Sequence, residues 1–421
     1  MSPITITLAL LLFAIVMFVW EKIPLALTSM IVCIALVLTG VLDMKTAFAG
    51  FVDSNVILFV AMFIVGGAFF ETGMANQVGG IVTKFAKTER QLIVAIMVVT
   101  GLMSGVLSNT GTAAVLIPVV IGIAAKSGFS RSKLLLPLVF AAAMGGNLSL
   151  IGAPGNLIAQ AQLQELGGKF GFFEYAKIGL PMLACGIIFY ATIGYRFLPD
   201  IQNNDSGAFD VTKDFDQVPS WKKKMSLIVL ILTILGMIFE DKIGIKLSIT
   251  GCVGALVLVL TGVISEKQAY ASIDLQTIFL FGGTLSLAKA LDTTGAGSAI
   301  ADFVMGALGK NASPFVLLVA VFMLSCVMTN FMSNTATTAL LVPISVSIAT
   351  GMGADPRAVL MATVIGGSCA YATPIGMPAN TMVISPGGYK FRDYVKAGLP
   401  LILVSTVVGL VLLPIFFPFY P

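Results

Sequence analysis

Long apolar runs, separated by short charged segments, set the pattern of this chain. Three uncharged runs come first, Ile4 to Val19, Ile23 to Leu42 and Ser54 to Phe70. A helix of about 20 apolar residues crosses a hydrocarbon core of roughly 30 Å, so each run predicts one spanning helix. The first run has no basic residue before it and no small-residue cleavage site after it. We therefore expect a retained helix there and not a secretory signal.

Two later runs are too long for one crossing. Gln91 to Ala125 would extend ~52 Å as a single helix, and it carries the polar tripeptide Ser-Asn-Thr at 108–110 near its centre. It predicts a re-entrant helical hairpin with the tripeptide at its tip. The run from Leu134 to Gln164 contains Gly-Ala-Pro-Gly-Asn at 152–156, which predicts a broken spanning helix. A fifth crossing is expected from about Tyr175 to Phe197.

The same features return in the same order in the second half. Ser-Asn-Thr recurs at 333–335, a second break motif lies at 376–380, and Gly-Leu-Pro occurs at both 179–181 and 398–400. This duplication predicts an all-α integral membrane protein of two inverted-topology repeats, each of five transmembrane helices plus one re-entrant helical hairpin, with a broken helix in each repeat. The predicted repeats are residues 1–198 and 225–421, joined by a polar linker at 199–224.

Charge distribution predicts the orientation. Five crossings per repeat place the two repeats in opposite directions, and most of the 24 Lys and Arg residues then fall on one side, which is expected to be cytoplasmic. The linker 199–224 is thus predicted to be cytoplasmic and both termini outside, in a multi-pass protein of the plasma (inner) membrane. The first two helices of each repeat, Ile4 to Leu42 and Met225 to Ile264, are expected to form a scaffold and the interface of a homodimer.

Composition narrows the function classes. The chain is 57% hydrophobic and 10% charged, with a mean hydropathy of +1.01, far from the roughly 25% charged residues of a soluble domain. It contains no His, the commonest general base, so an enzyme is disfavoured. The net charge of +4 reflects loops and indicates no nucleic-acid partner. A transporter is favoured, with a passive anion channel as an alternative.

The two polar tips suit an anion and a cation at once. Ser, Asn and Thr in membrane helices often serve only for packing, but their paired recurrence at overlong runs favours a binding site. Helix N-terminal amides with Asn and hydroxyl donors can bind a carboxylate or another oxyanion without Arg or Lys. Their oxygen atoms, together with carbonyls of an unwound segment, suit a small cation such as sodium.

These motifs carry a resemblance to a known family. Over nearly the whole length, the sequence resembles the divalent anion:sodium symporters, the dicarboxylate and sulfate carriers of the ion-transporter superfamily. The resemblance implies sodium ions as coupling ions, no organic cofactor, and alternating-access symport of a small anion such as the C4-dicarboxylate succinate. By position, the substrate-binding residues are Asn109, Thr110, Ser333, Asn334, Thr335 and Pro378. The first sodium is assigned to Ser104, Ser108, Asn109 and the carbonyl of Gly152, and the second to Thr329, Asn334 and the carbonyl of Gly376.

Departures from the family pattern leave the cargo open. Ala-Pro-Gly at 153–155 and Met-Pro-Ala at 377–379 replace the family's Thr-Pro-Pro, so two hydroxyls expected near the anion are missing. Anion exchange, and carriage of sulfate or another inorganic oxyanion, remain alternatives. Charged residues at the ends of spans are interpreted as interfacial, except Glu71 and Lys289, for which a role in proton relay stays open.

Overall fold

The apolar runs of the first half become helices, and the glycine-rich and polar points between them become turns. A computed structural model describes residues 2–20, 22–79, 88–201, 217–308 and 313–420, and these contain α-helices, turns and short 3₁₀ segments without any strand. The first-half helices are α1 (Pro3–Trp20), α2 (Leu25–Leu38), α3 (Met44–Phe48), α4 (Ser54–Glu71), α5 (Met74–Gly79), α6 (Glu89–Ser104), α7 (Asn109–Ser127), α8 (Arg131–Gly145), α9 (Pro154–Glu165) and α10 (Ala176–Thr192). The predicted all-α class is confirmed.

The second half repeats this order. Its helices are α11 (Ser220–Ile238), α12 (Glu240–Ile243), α13 (Leu247–Leu260), α14 (Glu266–Ser272), α15 (Leu275–Thr294), α16 (Ala296–Leu308), α17 (Pro314–Thr329), α18 (Asn334–Gly351), α19 (Pro356–Gly367), α20 (Pro378–Met382), α21 (Ile384–Gly387) and α22 (Phe391–Phe416). Each polar tripeptide lies at the turn of a helix pair, α6 and α7 or α17 and α18. Each break separates two helices, α8 from α9 and α19 from α20.

Several boundaries differ from the sequence prediction. Helix α11 begins at Ser220, directly after Pro219, so the three lysines at 222–224 lie in a helix and not in the linker. Proline suits the start of a helix, and lysine is a good helix former. Residues 202–216 of the predicted linker lie outside the described residues. The short helices α3, α5, α14 and α16 were not predicted, although a capping box of Ser265 and Gln268 marks the start of α14.

Uninterrupted spans are few, because the fold divides its apolar runs at tips and breaks. Within the described ranges, two helical stretches, Met44–Glu71 and Phe391–Phe416, have the length and hydropathy of a complete span. The pair α14 and α15, bent by 53°, would add a third if it is counted as one crossing. Most other apolar helices are shorter than 18 residues. Length and hydropathy alone therefore undercount the crossings that the duplication predicts.

The two helices that lead into the breaks are the most deeply buried. Every residue of α8 from Leu134 to Gly145 is buried, as is every residue of α19 from Ala358 to Gly367. Close packing fixes α8 against α6: a Cβ added at Gly145 would lie 2.3 Å from the carbonyl oxygen of Gly101. The unwound residues 146–153 of repeat one are buried as well, as an apolar environment requires, whereas Ile375 in the second break is 57% exposed.

Candidate substrate and cation sites

Four helix N-termini converge on one cavity. Helix α7 begins after Ser108, whose hydroxyl accepts a hydrogen bond from the Gly111 amide at 3.1 Å. Helix α18 begins in the same way after Ser333, which accepts from the Ala336 amide at 3.1 Å. The other two N-termini, of α9 and α20, follow the breaks and start with proline. Because a helix N-terminus carries partial positive charge, this arrangement favours an anion.

The cavity between these helices has a volume of about 420 Å³. Its lining includes every residue predicted to bind substrate, namely Asn109, Thr110, Ser333, Asn334, Thr335 and Pro378. Asp274 is the charged residue in this lining, and its carboxylate caps α15 by accepting from the Thr277 amide and hydroxyl. Among the described lining residues none is Lys or Arg, so an anion would be held by amides and hydroxyls.

A cluster of oxygen atoms lies beneath the first tip. The Ser104 hydroxyl is 2.7 Å from Asn109 Oδ1 and 2.7 Å from the carbonyl oxygen of Ala142. If the Asn109 amide turned over, its nitrogen would lie 2.7 Å from Ser104 Oγ, 3.1 Å from the Ala142 oxygen and 3.3 Å from the Gly152 oxygen. The position that Asn109 Oδ1 occupies is therefore surrounded by oxygen atoms.

The second tip has the same cluster. The Thr329 hydroxyl is 2.7 Å from Asn334 Oδ1 and 2.5 Å from the carbonyl oxygen of Gly367. With the Asn334 amide turned over, its nitrogen would lie 2.7 Å from Thr329 Oγ1, 3.1 Å from the Gly376 oxygen and 3.3 Å from the Gly367 oxygen. The two clusters thus match group for group, hydroxyl, amide and two carbonyls.

The chemistry of these clusters fits a small hard cation. One hydroxyl donates only one proton, so Ser104 or Thr329 cannot satisfy every acceptor around it while the amide oxygen points inward. A cation among the oxygen atoms would remove this conflict, and neutral oxygen ligands of this kind bind sodium at the broken helices of transporters. Within the described part of the chain, no group of three or more Cys, Asp or Glu could hold a metal ion.

The structure brings together most of the predicted sodium ligands. Ser104, Asn109 and the Gly152 carbonyl form the first cluster, and Thr329, Asn334 and the Gly376 carbonyl form the second. Ser108 is different, because its hydroxyl caps α7. Sequence reasoning missed two ligand candidates, the carbonyls of Ala142 and Gly367. A hydroxyl one helical turn before each motif Ser was visible in the sequence, but no side-chain signal identifies a backbone carbonyl.

The asparagines that end the break motifs hold the unwound backbone. Asn156 Nδ2 donates to the carbonyls of Gly146 and Ser149 at 2.9 and 2.7 Å. Asn380 Nδ2 donates to those of Ala370 and Thr373 at 2.7 and 2.9 Å. All of these groups are buried, where an unpaired carbonyl would be costly. These asparagines therefore replace the helical hydrogen bonds that each break removes.

The cavity continues towards one side of the protein. An adjoining cavity of about 530 Å³ shares Ser108, Pro154 and Ser272 with it and extends to Glu71 and Lys267. This is the side predicted to be cytoplasmic.

On the opposite side, helices α4 and α9 are joined by a hydrogen bond of 2.9 Å from Asn55 to Gln164. A separate cavity there of about 520 Å³, which contains Glu165 and the ion pair of Lys289 with Asp292, shares no lining residue with the cavity at the tips.

An all-helical transporter is the class of protein that this fold and cavity define. The Citrate transporter family model (CitMHS) matches residues 15–366, and the chain belongs to that family. It is therefore a multi-pass membrane protein, and the resemblance to the divalent anion:sodium symporters is confirmed.

Known relatives agree on the class. The chain is 30% identical over 427 residues to an uncharacterized transporter of Haemophilus influenzae, covering 95% of this chain and 89% of that protein. It is 24% identical over 437 residues to the sodium-dependent dicarboxylate transporter SdcS of Staphylococcus saprophyticus, covering 95% and 84%. Among solved structures, Neisseria gonorrhoeae MtrF shares the fold with a TM-score of 0.61 at 17% identity, over 92% of this chain and 87% of that one.

Proposed function

We propose that this protein is a secondary transporter that carries a small divalent anion, a C4-dicarboxylate such as succinate, together with sodium ions by alternating access. The observation that carries the proposal is the position of Asn109 and Asn334. Each lines the cavity and each also places its side-chain amide in an oxygen cluster. The relatives named as sodium-dependent dicarboxylate transporters support the choice of ion and cargo.

Amide orientation gives a physical route to coupling. When a cation occupies a cluster, it attracts the amide oxygen of Asn109 or Asn334, so the NH₂ group is directed away from the cluster. An NH₂ group towards the cavity can donate to a carboxylate. Without the cation, the amide nitrogen is favoured in the cluster, where three oxygen atoms lie within 3.3 Å of it. The oxygen would then face the cavity and repel an anion.

The helix N-termini complete the anion site. A permanent Lys or Arg in mid-membrane would be costly whenever the cargo is absent. Helix N-termini and neutral donors avoid this cost, since their partial charges are already stabilised within the helices. A cation bound beside the same helix N-termini adds positive charge to the anion site only while the cation is present. Symport follows, because bound sodium ions raise the affinity of the site for the anion, and the bound anion raises its affinity for sodium.

Alternating access is supported by the unequal sides of the cavity. The path from Ser108 to Lys267 would be the route of release into the cytoplasm. The Asn55–Gln164 hydrogen bond would belong to the closed outer side. We propose that the hairpins and broken helices move against a scaffold formed by α1, α2, α11 and α13, and that this scaffold forms a homodimer. Opposite orientation of the two repeats would supply the two alternating states.

The test is uptake of labelled succinate by purified protein in liposomes under an inward sodium gradient. Accumulation above the outside concentration is expected, and replacing sodium by potassium should abolish it. Equal uptake in potassium would remove the symport part of the proposal, and equilibration without accumulation would indicate a passive channel. Competition by unlabelled citrate, sulfate and phosphate in the same assay tests the cargo. Succinate counterflow without sodium would favour exchange.

A further inference from the structure

The wall of the cavity differs between the two repeats. The residue three positions after the tip threonine is Ala113 in repeat one and Thr338 in repeat two. Ala142 and Gly367 contribute matching carbonyls to the two clusters. The residues that follow them are Ala143 in repeat one and Ser368 in repeat two. Both hydroxyl residues line the cavity. Repeat two therefore contributes two hydroxyl groups to the lining from positions whose repeat-one equivalents, Ala113 and Ala143, are absent from it.

Two glycines make room for the hydroxyl of Thr338. A Cβ added at Gly155 would lie 2.8 Å from Thr338 Oγ1, and one added at Gly367 would lie 3.1 Å from it. The first distance is too short for a real side chain and the second is tight, so Thr338 Oγ1 lies close to the backbones of α9 and α19. Thr338 Oγ1 donates a hydrogen bond of 2.9 Å to the carbonyl oxygen of Asn334 in the same helix. A hydroxyl bonded in this way can rotate to donate to a ligand instead.

Asn147 holds Ser368 in place. Ser368 Oγ lies 3.0 Å from Asn147 Oδ1 and 3.0 Å from the Val364 carbonyl. The bond joins the break of repeat one to the end of α19. Asn147 is fully buried, and its Nδ2 has no hydrogen-bond partner in the described residues. Asn147 thus ties Ser368 of α19 to the break of repeat one through its Oδ1 atom, while its Nδ2 atom keeps a free hydrogen-bonding capacity within the described residues.

We propose that Thr338 and Ser368, positioned by Gly155, Gly367 and Asn147, form a second subsite that binds the distal carboxylate of the cargo. The tip groups of Asn109 and Thr110 would bind the first carboxylate. This inference rests on the proposed function. It also compensates for the two hydroxyls that Ala153 and Met377 remove from the break motifs, because Thr338 and Ser368 supply two hydroxyls from other positions of the same cavity.

The test compares succinate with succinamate, in which one carboxylate is replaced by a neutral amide. Thr338→Val and Ser368→Ala each remove one hydroxyl donor. Each variant should raise the KM for succinate about tenfold, the value of one hydrogen bond to a charged group, in sodium-driven uptake by liposomes. The KM for succinamate should change less than about twofold, because a neutral amide gains less from the same hydrogen bond. The preference for succinate would thus largely disappear.

Ser345→Ala is the matched control. Ser345 lies on α18 like Thr338, is buried, and bonds Thr363 on α19, but it does not line the cavity. It should leave the ratio of the two KM values unchanged, and Ser368→Thr should restore most of the preference lost in Ser368→Ala.

Equal rises of both KM values would show a structural role and overturn the subsite, as would unchanged values. Wild-type protein without sodium-driven succinate uptake would overturn the proposed function and the subsite with it. Normal wild-type uptake with an unchanged preference in the variants would overturn the subsite alone.

Discussion

The two repeats match in the oxygen clusters below their tips and differ in the hydroxyls that line the cavity. Below each tip, a hydroxyl, an asparagine amide and two carbonyls occupy matching positions. The hydroxyl belongs to Ser104 in repeat one and to Thr329 in repeat two. At the positions of Thr338 and Ser368, which line the cavity, repeat one has Ala113 and Ala143. Matching clusters are what two sites for the same cation require, which supports the proposed ion sites. Unequal hydroxyls in the lining would give the two ends of a bound cargo different partners, as the proposed subsite requires.

The breaks show the same contrast. The hydrogen bonds of Asn156 and Asn380 to two carbonyls each are repeated. After the break, however, α9 runs for 12 residues, whereas α20 has 5 residues and α21 has 4. Gly388, with a φ of 68°, ends α21. The asparagine hydrogen bonds of the unwound segment are thus the same in both repeats, whereas the helix beyond it differs in length.

The largest expected effect comes from the tip asparagines. Asn109→Ala and Asn334→Ala each remove a proposed ion ligand and a cavity donor. Each should lower sodium-driven succinate uptake about 100-fold or more, since one oxygen ligand of the cation and one hydrogen bond to the charged carboxylate are lost. Initial uptake rates measure this, with gel filtration in detergent as the control for folding. Normal uptake in both variants would contradict the site assignment, and a loss in only one would show that the repeats are not equivalent.

Loss of the cluster hydroxyl of Ser104 or Thr329 should weaken sodium binding and leave succinate binding nearly unchanged. Ser104→Ala and Thr329→Val should each raise the sodium concentration for half-maximal uptake about tenfold, because one of the oxygen ligands is lost. At saturating sodium the KM for succinate should stay within about twofold of wild type, since one lost hydrogen bond to charge would change it more. Thr329→Ser keeps the ligand and is the matched control. A change in succinate KM alone would place these hydroxyls in the anion site.

The asparagines of the breaks should affect stability. Asn156→Ala and Asn380→Ala each remove two hydrogen bonds to buried carbonyls, so each should lower the free energy of unfolding by about 1–3 kcal/mol. Thermal unfolding of the detergent-solubilised protein, followed by intrinsic fluorescence, would measure the fall. Gln162→Ala, on the same helix as Asn156, removes a side chain that donates to the Glu165 carboxylate and should change the midpoint less. An unchanged midpoint for both asparagine variants would show that other groups hold the unwound backbone.

A small effect is expected at the ion pair between Lys169 and Asp241, whose charged atoms are 2.7 Å apart. The hydrogen bond to Asp241 raises the pKa of Lys169 above its ordinary value. The ion pair therefore contributes to the stability of the fold below the pKa that Lys169 has in the unfolded chain. This contribution is lost as the pH rises through the pKa of Lys169 in the folded protein. Both side chains are exposed, so Lys169→Ala should change stability only slightly at neutral pH. A large loss of thermal stability in this variant at pH 7 would contradict that expectation.

Much of the architecture followed from the sequence, since periodic features of a duplicated chain are visible without coordinates. The overlong run at 91–125 predicted the turn between α6 and α7 to within a few residues, because a polar tripeptide and glycines cannot continue an apolar span. Short helices such as α3 and α14 were missed, as their capping residues are weak signals beside spans of 20 residues. The start of α11 was placed too late because its lysines were attributed to the linker.

By itself, the sequence determined the duplication, the two tips and the side chains that could meet there, because composition and repeat spacing depend on the chain alone. Only the tertiary structure decided that Asn109 and Asn334 lie over clusters containing the carbonyls of Ala142 and Gly367. It also decided that Thr338 and Ser368 share one cavity wall. Backbone carbonyls carry no signature in sequence, and contacts between residues such as Asn147 and Ser368 arise only when helices from the two repeats pack together.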